Sequence, residues 1–127
     1  MLGKPFGRRE DSGEHGMQVE FLDNCLVQVE ELRKRVGPGF AHEQQAIWPQ
    51  VWNHDEQADE LQRKIALAGS FAAEIDGVVR GSKAASKTIW DVLETLQGVI
   101  DNCEQSLASI MASLLERQRA ESIRAQG

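Results

Sequence analysis

Tyrosine is absent from this sequence, proline occurs three times, and the only two cysteines, Cys25 and Cys103, stand far apart. Each scarcity closes off a class of protein. Without tyrosine and with few β-branched runs, the chain has little of what strands are made from. Two isolated cysteines outside any Cys-x-x-Cys pair offer neither zinc-ligand spacing nor a disulfide framework, so buried free thiols are expected, with their pairing left to geometry. No apolar run approaches the roughly 20 residues that span a bilayer. The opening stretch Met1-Leu2-Gly3-Lys4-Pro5-Phe6 lacks the apolar centre of a secretory leader, which makes the cytoplasm the expected compartment.

Signals of catalysis are equally scarce. There is no Gly-x-Ser-x-Gly elbow for a nucleophile. Gly37-Pro38-Gly39 places a proline where a phosphate-binding loop needs amide donors. Of the three histidines, His54 near Asp55 and Asp59 has one-turn spacing that suits a shared metal ion. The plainer reading, a helix-start histidine among solvated carboxylates, is preferred, and no Glu-x-x-His pair exists to build a di-iron site. No enzyme activity, cofactor or metal is therefore expected. In size the chain is similar to the small secreted Trp-x-Gly helical hairpins, but that motif is missing here.

What the chain does have is helical periodicity. At 127 residues, with 41% hydrophobic and 27% charged side chains, it suits one folded domain. Leu22, Cys25, Val29, Leu32 and Val36 recur at steps of three and four along one helix face. Gly37-Pro38-Gly39 then stops that helix. Asn53 with Glu56 reads as a capping box opening a second helix, whose seam is Ala58, Leu61, Ile65, Ala68, Ala72, Ile75 and Val79. Leu67, Phe71 and Val78 widen its apolar stripe to that of a globular core face. The third seam is Ile89, Leu93, Leu96, Ile100, Cys103, Leu107, Ile110 and Leu114, flanked by Trp90, Val92, Val99 and Met111. Beyond Leu114 the same positions hold Arg117, Glu121 and Arg124, so this long helix should project past its neighbours.

The second and third seams share a phase, so one rod from Asn53 to Arg124 is an alternative. Gly81 as a helix stop and Ser82 as the next cap favour a hairpin. The expected architecture is all-α: an antiparallel three-helix bundle of Met17 to Val36, Asn53 to Arg80 and Lys83 to Arg124, with a long coiled-coil-like C-terminal helix. Residues 1–16, rich in glycine and mixed charge, read as a flexible arm ahead of a bundle domain at 17–127.

Function follows less directly. The net charge of -6 sets the averaged field against nucleic acid and anionic membranes. Local basic groups exist at Lys4, Arg8 and Arg9, at Arg33, Lys34 and Arg35, and at Arg117, Arg119 and Arg124, and the last two are the places where nucleic acid would bind. The run from Glu43 to Glu60 holds five carboxylates and no Lys or Arg, reading first as a solvated face. Trp48 and Trp52 lie four apart, either as binding hot spots or as a plug for the bundle end. Together with the seam residues Ile89, Leu93, Leu96, Ile100, Leu107, Ile110 and Leu114 they form the expected interface, for self-association or a helical protein partner. The leading expectation is a non-catalytic interaction module, an adaptor, chaperone or structural subunit of a larger assembly. The alternative is a small helical subunit or inhibitor of a nucleic-acid-processing complex.

Overall fold

The computed structural model describes the backbone of residues 3–126 and the side chains of residues 13–126. Three long helices, α1 (Gly3–Arg35), α3 (Asp55–Gly81) and α4 (Lys87–Gln126), pack against one another, with a short helix α2 (Phe40–Ile47) in the first connector. Helix α1 runs antiparallel to α3: His15 Nε2 donates to the Val79 carbonyl at 3.0 Å near one end, and Gln62 donates to the Gly37 carbonyl near the other. It runs parallel to α4, since Gln18 donates to the Ser86 carbonyl at 2.9 Å and Gln28 meets Gln97 further along.

The three seams point inward together. Every residue of the α3 seam and of the α4 seam is buried, as are Leu22, Cys25, Val29, Leu32 and Val36 of α1. Removing these side chains from water is the principal force holding the helices together, worth about 25 cal/mol per Å² of apolar surface. The hairpin between α3 and α4 replaces the alternative rod. Past Leu114 the α4 seam turns polar and mostly exposed, and instead of projecting free, Arg117, Glu121 and Arg124 lie beside the connector residues Gln50 to Asn53, with which they line a shallow pocket.

Helix ends differ from the expectation in physically informative ways. Helix α3 starts at Asp55, with His54 rather than Asn53 in the cap position. His54 is only 6% exposed and its Nδ1 lies 2.6 Å from Gln57 Oε1, so burial of the imidazole sets the start one residue later. The Asn53–Glu56 box is accordingly not used. At the other end no glycine among the described residues has a positive φ, so Gly81 does not form a left-handed stop. Ser82 leaves the helix in extended conformation (φ -83°, ψ 144°), and its hydroxyl donates back to the Val78 carbonyl at 2.7 Å. It therefore closes α3 and does not open α4. Ser86 performs the opening role, its Oγ accepting the Ile89 amide at 3.1 Å, which moves the start of α4 from Lys83 to Lys87.

The boundary placed at Met17 has no counterpart in the backbone, because α1 extends back to Gly3. Within the former arm, Glu14 accepts the Trp90 indole N–H at 2.9 Å and His15 reaches Val79, so tertiary contacts outweigh the weak helix propensity of Gly13 and Gly16. Helix α2 ends at Ile47, ahead of Trp48 (φ -120°, ψ 55°). Pro49 disfavours helical geometry in the residue before it, which accounts for the break.

Candidate interaction surface

Helix α1 covers one side of the α3–α4 pair, and the opposite side is open. Along it a second stripe of α3 side chains recurs at steps of three and four: Gln57, Glu60, Lys64, Leu67, Phe71, Glu74 and Val78. Helix α4 answers with Thr88, Val92, Thr95, Val99, Asn102, Ser106 and Ser109. The stripes bound one groove whose character changes along its length. Near the α3–α4 turn it is apolar, lined by Leu67, Phe71, Val78, Val92 and Val99. Toward the other end it becomes polar through Lys64, Glu60 and Gln57 facing Ser106 and Ser109, with Lys64 also reaching Asn102 at 3.3 Å.

Leu67 is 69% exposed and Val78 is 56% exposed. This corrects the expectation that these residues widen the core. A stripe of that width needs a further neighbour on the face of the α3–α4 pair away from α1, and among the described residues no helix lies there. Phe71, Val92 and Val99 are half-buried against the core, while their outer edges face the groove.

The residues expected to form an interface divide into two groups. Ile89, Leu93, Leu96, Ile100, Leu107, Ile110 and Leu114 are all at most 5% exposed, so they bind helix to helix within the chain and present nothing outward. Trp48 and Trp52 are half-buried against the same core. Trp48 donates its indole N–H to Gln44 Oε1 at 3.2 Å, and Trp52 donates to Asp55 Oδ1 at 2.5 Å. Trp52 also meets Phe40 and His54 edge to face, with ring centroids 6.3 Å and 5.5 Å away. The tryptophans thus close the end of the bundle around buried Phe40 and Val51. Trp90 packs edge to face on Phe21 at 5.9 Å.

Basic residues are placed apart. Arg33, Lys34 and Arg35 are exposed on the last turn of α1, where cations complement the helix dipole, and Arg33 lies 4.0 Å from Glu30. Arg117, Arg119 and Arg124 are exposed on the last turns of α4, with Arg117 and Arg124 beside Gln50 to Asn53 of the connector and Arg124 3.1 Å from Glu121. The group Lys4, Arg8 and Arg9 lies outside the described side chains. On α3, Arg80 bridges Asp76, at 2.6 Å, and Asp23 of α1. His54 is buried, which corrects its placement among solvated carboxylates, and Asp55 is held by Trp52. No group of three or more His, Cys, Asp or Glu able to hold a metal ion occurs among the described residues. None of the helices described is long and apolar enough to cross a membrane.

Both cysteines are buried and free. Cys25 lies beside a polar clasp between α1 and α4, in which Gln97 donates to Gln28 Oε1 at 2.9 Å and to Asp101 Oδ1 at 2.9 Å. Burial pushes the Cys25 thiol from its ordinary 9.0 up to about 11, with Asp101 adding in the same direction. Burial also raises Cys103, and Lys64 opposes that rise. The thiolate is the reactive form and Cys25 is fully buried, so at pH 8 a disulfide reagent should label it at least about a hundredfold more slowly in the folded protein than in denaturant. Folded Cys25 retains its proton through the interval from 9.0 to about 11 in which the unfolded thiol loses it. This contribution to stability is complete below pH 9 and is lost as pH rises through that interval. A titration of unfolding free energy that rose there would contradict the burial of Cys25.

No known protein family, curated protein or solved structure matches this chain.

Proposed function

We propose that this chain is a non-catalytic helical interaction module of the cytoplasm, acting as an adaptor, chaperone or structural subunit of a larger assembly. The observation that carries the reading is the open groove, where Leu67 and Val78 stand exposed beside Phe71, Val92 and Val99. Aliphatic side chains aligned along two helices form the kind of surface that an amphipathic helix covers. The reading also fits the placement of the candidate chemical groups: the thiols are buried and protonated, and the carboxylates flank helix ends and ion pairs.

The test is a pull-down of the tagged chain from its native cells, with and without nuclease, beside the double variant Leu67→Asp/Val78→Asp. Both substitutions lie at exposed positions and leave the core intact. Proteins retained after nuclease by the parent chain and lost by the variant are the expected result. Retention that disappears with nuclease, and instead follows neutralisation of Arg33, Lys34 and Arg35, would replace this reading with that of a subunit of a nucleic-acid-processing complex.

A further inference from the structure

We infer that the occupant of the α3–α4 groove is a second copy of this chain, docked about a two-fold axis perpendicular to the helices so that α3 lies antiparallel on α3 and α4 on α4. This deepens the interaction-module reading and rests on it. The argument is one of register. Around such an axis the contact is isologous: if one residue faces another across the interface, the second faces the first. Residues equidistant from the axis along a helix are therefore partners.

On α3, Leu67 and Phe71 are symmetric about position 69, and so are Lys64 and Glu74. Placing the axis there sets Leu67 of each copy on Phe71 of the other and brings each Lys64 ammonium to a Glu74 carboxylate. All four side chains line the groove. Among the described residues Glu74 has no ion-pair partner within the chain, while Lys64 has Glu60 at 3.7 Å and Asn102 at 3.3 Å.

The same axis must also pass through α4. Leu67 and Phe71 line the same stretch of groove as Thr95 and Val99, which are symmetric about position 97. The axis then pairs Thr95 with Val99 and Val92 with Asn102. Gly98 lies beside that point, and nothing in the chain occupies the space its missing Cβ would take. A glycine inside a helix costs helix stability, and here it leaves room for a second backbone. An axis parallel to the helices would instead place α3 on α4, with Lys64 over Asn102 and Glu74 over Val92. It forms no opposite-charge pair, so the perpendicular axis is the complementary one.

The experiment is sedimentation of the full chain over a concentration series, with Lys64→Glu, Glu74→Lys and the double charge swap. All three changes fall on the groove rim, and circular dichroism checks that each variant keeps its helix content. A dimer is expected for the parent chain. Each single swap turns two attractive contacts per dimer into two repulsive ones and should raise the dissociation constant about tenfold. The double swap rebuilds both pairs and should return it to within about threefold of the parent. A parent chain that stays monomeric to about 200 µM, far above the micromolar range of specific association, overturns the inference. A dimer indifferent to the single swaps, or weakened by them without rescue, overturns it as well. If the chain is monomeric yet retains nuclease-resistant proteins that Leu67→Asp/Val78→Asp loses, the second copy is excluded and the interaction module stands. If it is monomeric and retains nothing, both fail.

Discussion

Replacing Ile100 and Leu107 with aspartate should abolish the cooperative unfolding transition and remove most of the helical circular dichroism at 25 °C. Ile100 is fully buried and Leu107 is 3% exposed, both in the α4 seam among side chains of α1 and α3. An unpaired carboxylate at either place must lose its hydration, draw water into the core or take up a proton. Breaking a buried pair, which leaves one uncompensated charge, costs about 3–5 kcal/mol, and each aspartate also removes a large apolar side chain worth about 2–5 kcal/mol. A chain of this size has roughly 6–19 kcal/mol of stability in total, so the two changes together consume most or all of it. The matched control is Gln105→Asp with Ala108→Asp, which adds two carboxylates at exposed positions of the same helix. That control should stay folded, because an exposed carboxylate keeps its water. Native-like helix content in the Ile100→Asp/Leu107→Asp variant would overturn the assignment of this seam to the core.

The same seam shows what sequence periodicity can and cannot reveal. Alternating steps of three and four identify which residues share a helix face, and each α3 and α4 residue found that way is buried. Gln18 occupies the same phase one turn before Leu22 and is fully buried too, held by the Ser86 carbonyl. Its polarity hid it, although its spacing was visible. Periodicity does not say how many neighbours a helix has. Leu67 and Val78 extend the apolar face of α3 as a core residue would, but with only α1 behind the α3–α4 pair they remain exposed. The groove is a property of the packing, since it exists because α1 covers one side of the α3–α4 pair and leaves the other open. Helix termini were hard to read for a different reason: Asn53 and Ser82 are good caps locally, yet burial of His54 and the length of the turn up to Ser86 decided the ends. Glycines at 13 and 16 suggested an arm, and the contacts of Glu14 and His15 lay beyond any local pattern.

A second large effect should come from adding apolar volume rather than removing it. The seams of α1 and α4 are filled mainly by leucine, isoleucine and valine, whereas α3 presents Ala58, Ala68 and Ala72, each at most 1% exposed. Small side chains on one helix opposite large ones on its neighbours allow close approach at native packing density. Ala72→Leu, though more hydrophobic, must therefore force its neighbours off their rotamers or push α3 outward, at a cost of about 1–3 kcal/mol. For a domain of this size that is a fall in Tm of roughly 5–15 °C. Ala73→Leu makes the same chemical change one residue further on, where the side chain is exposed, and its Tm should stay within about 2 °C of the parent because leucine and alanine both favour helix. The contrast isolates packing from hydrophobicity. Transfer of the added methylenes into an apolar core would by itself raise stability, so only a core already filled can make the buried substitution the harmful one. An Ala72→Leu protein melting at or above the parent temperature would mean that α3 is not held closely against α1 and α4 at this level. The seam would then be looser than the burial of Ala68 and Ala72 requires.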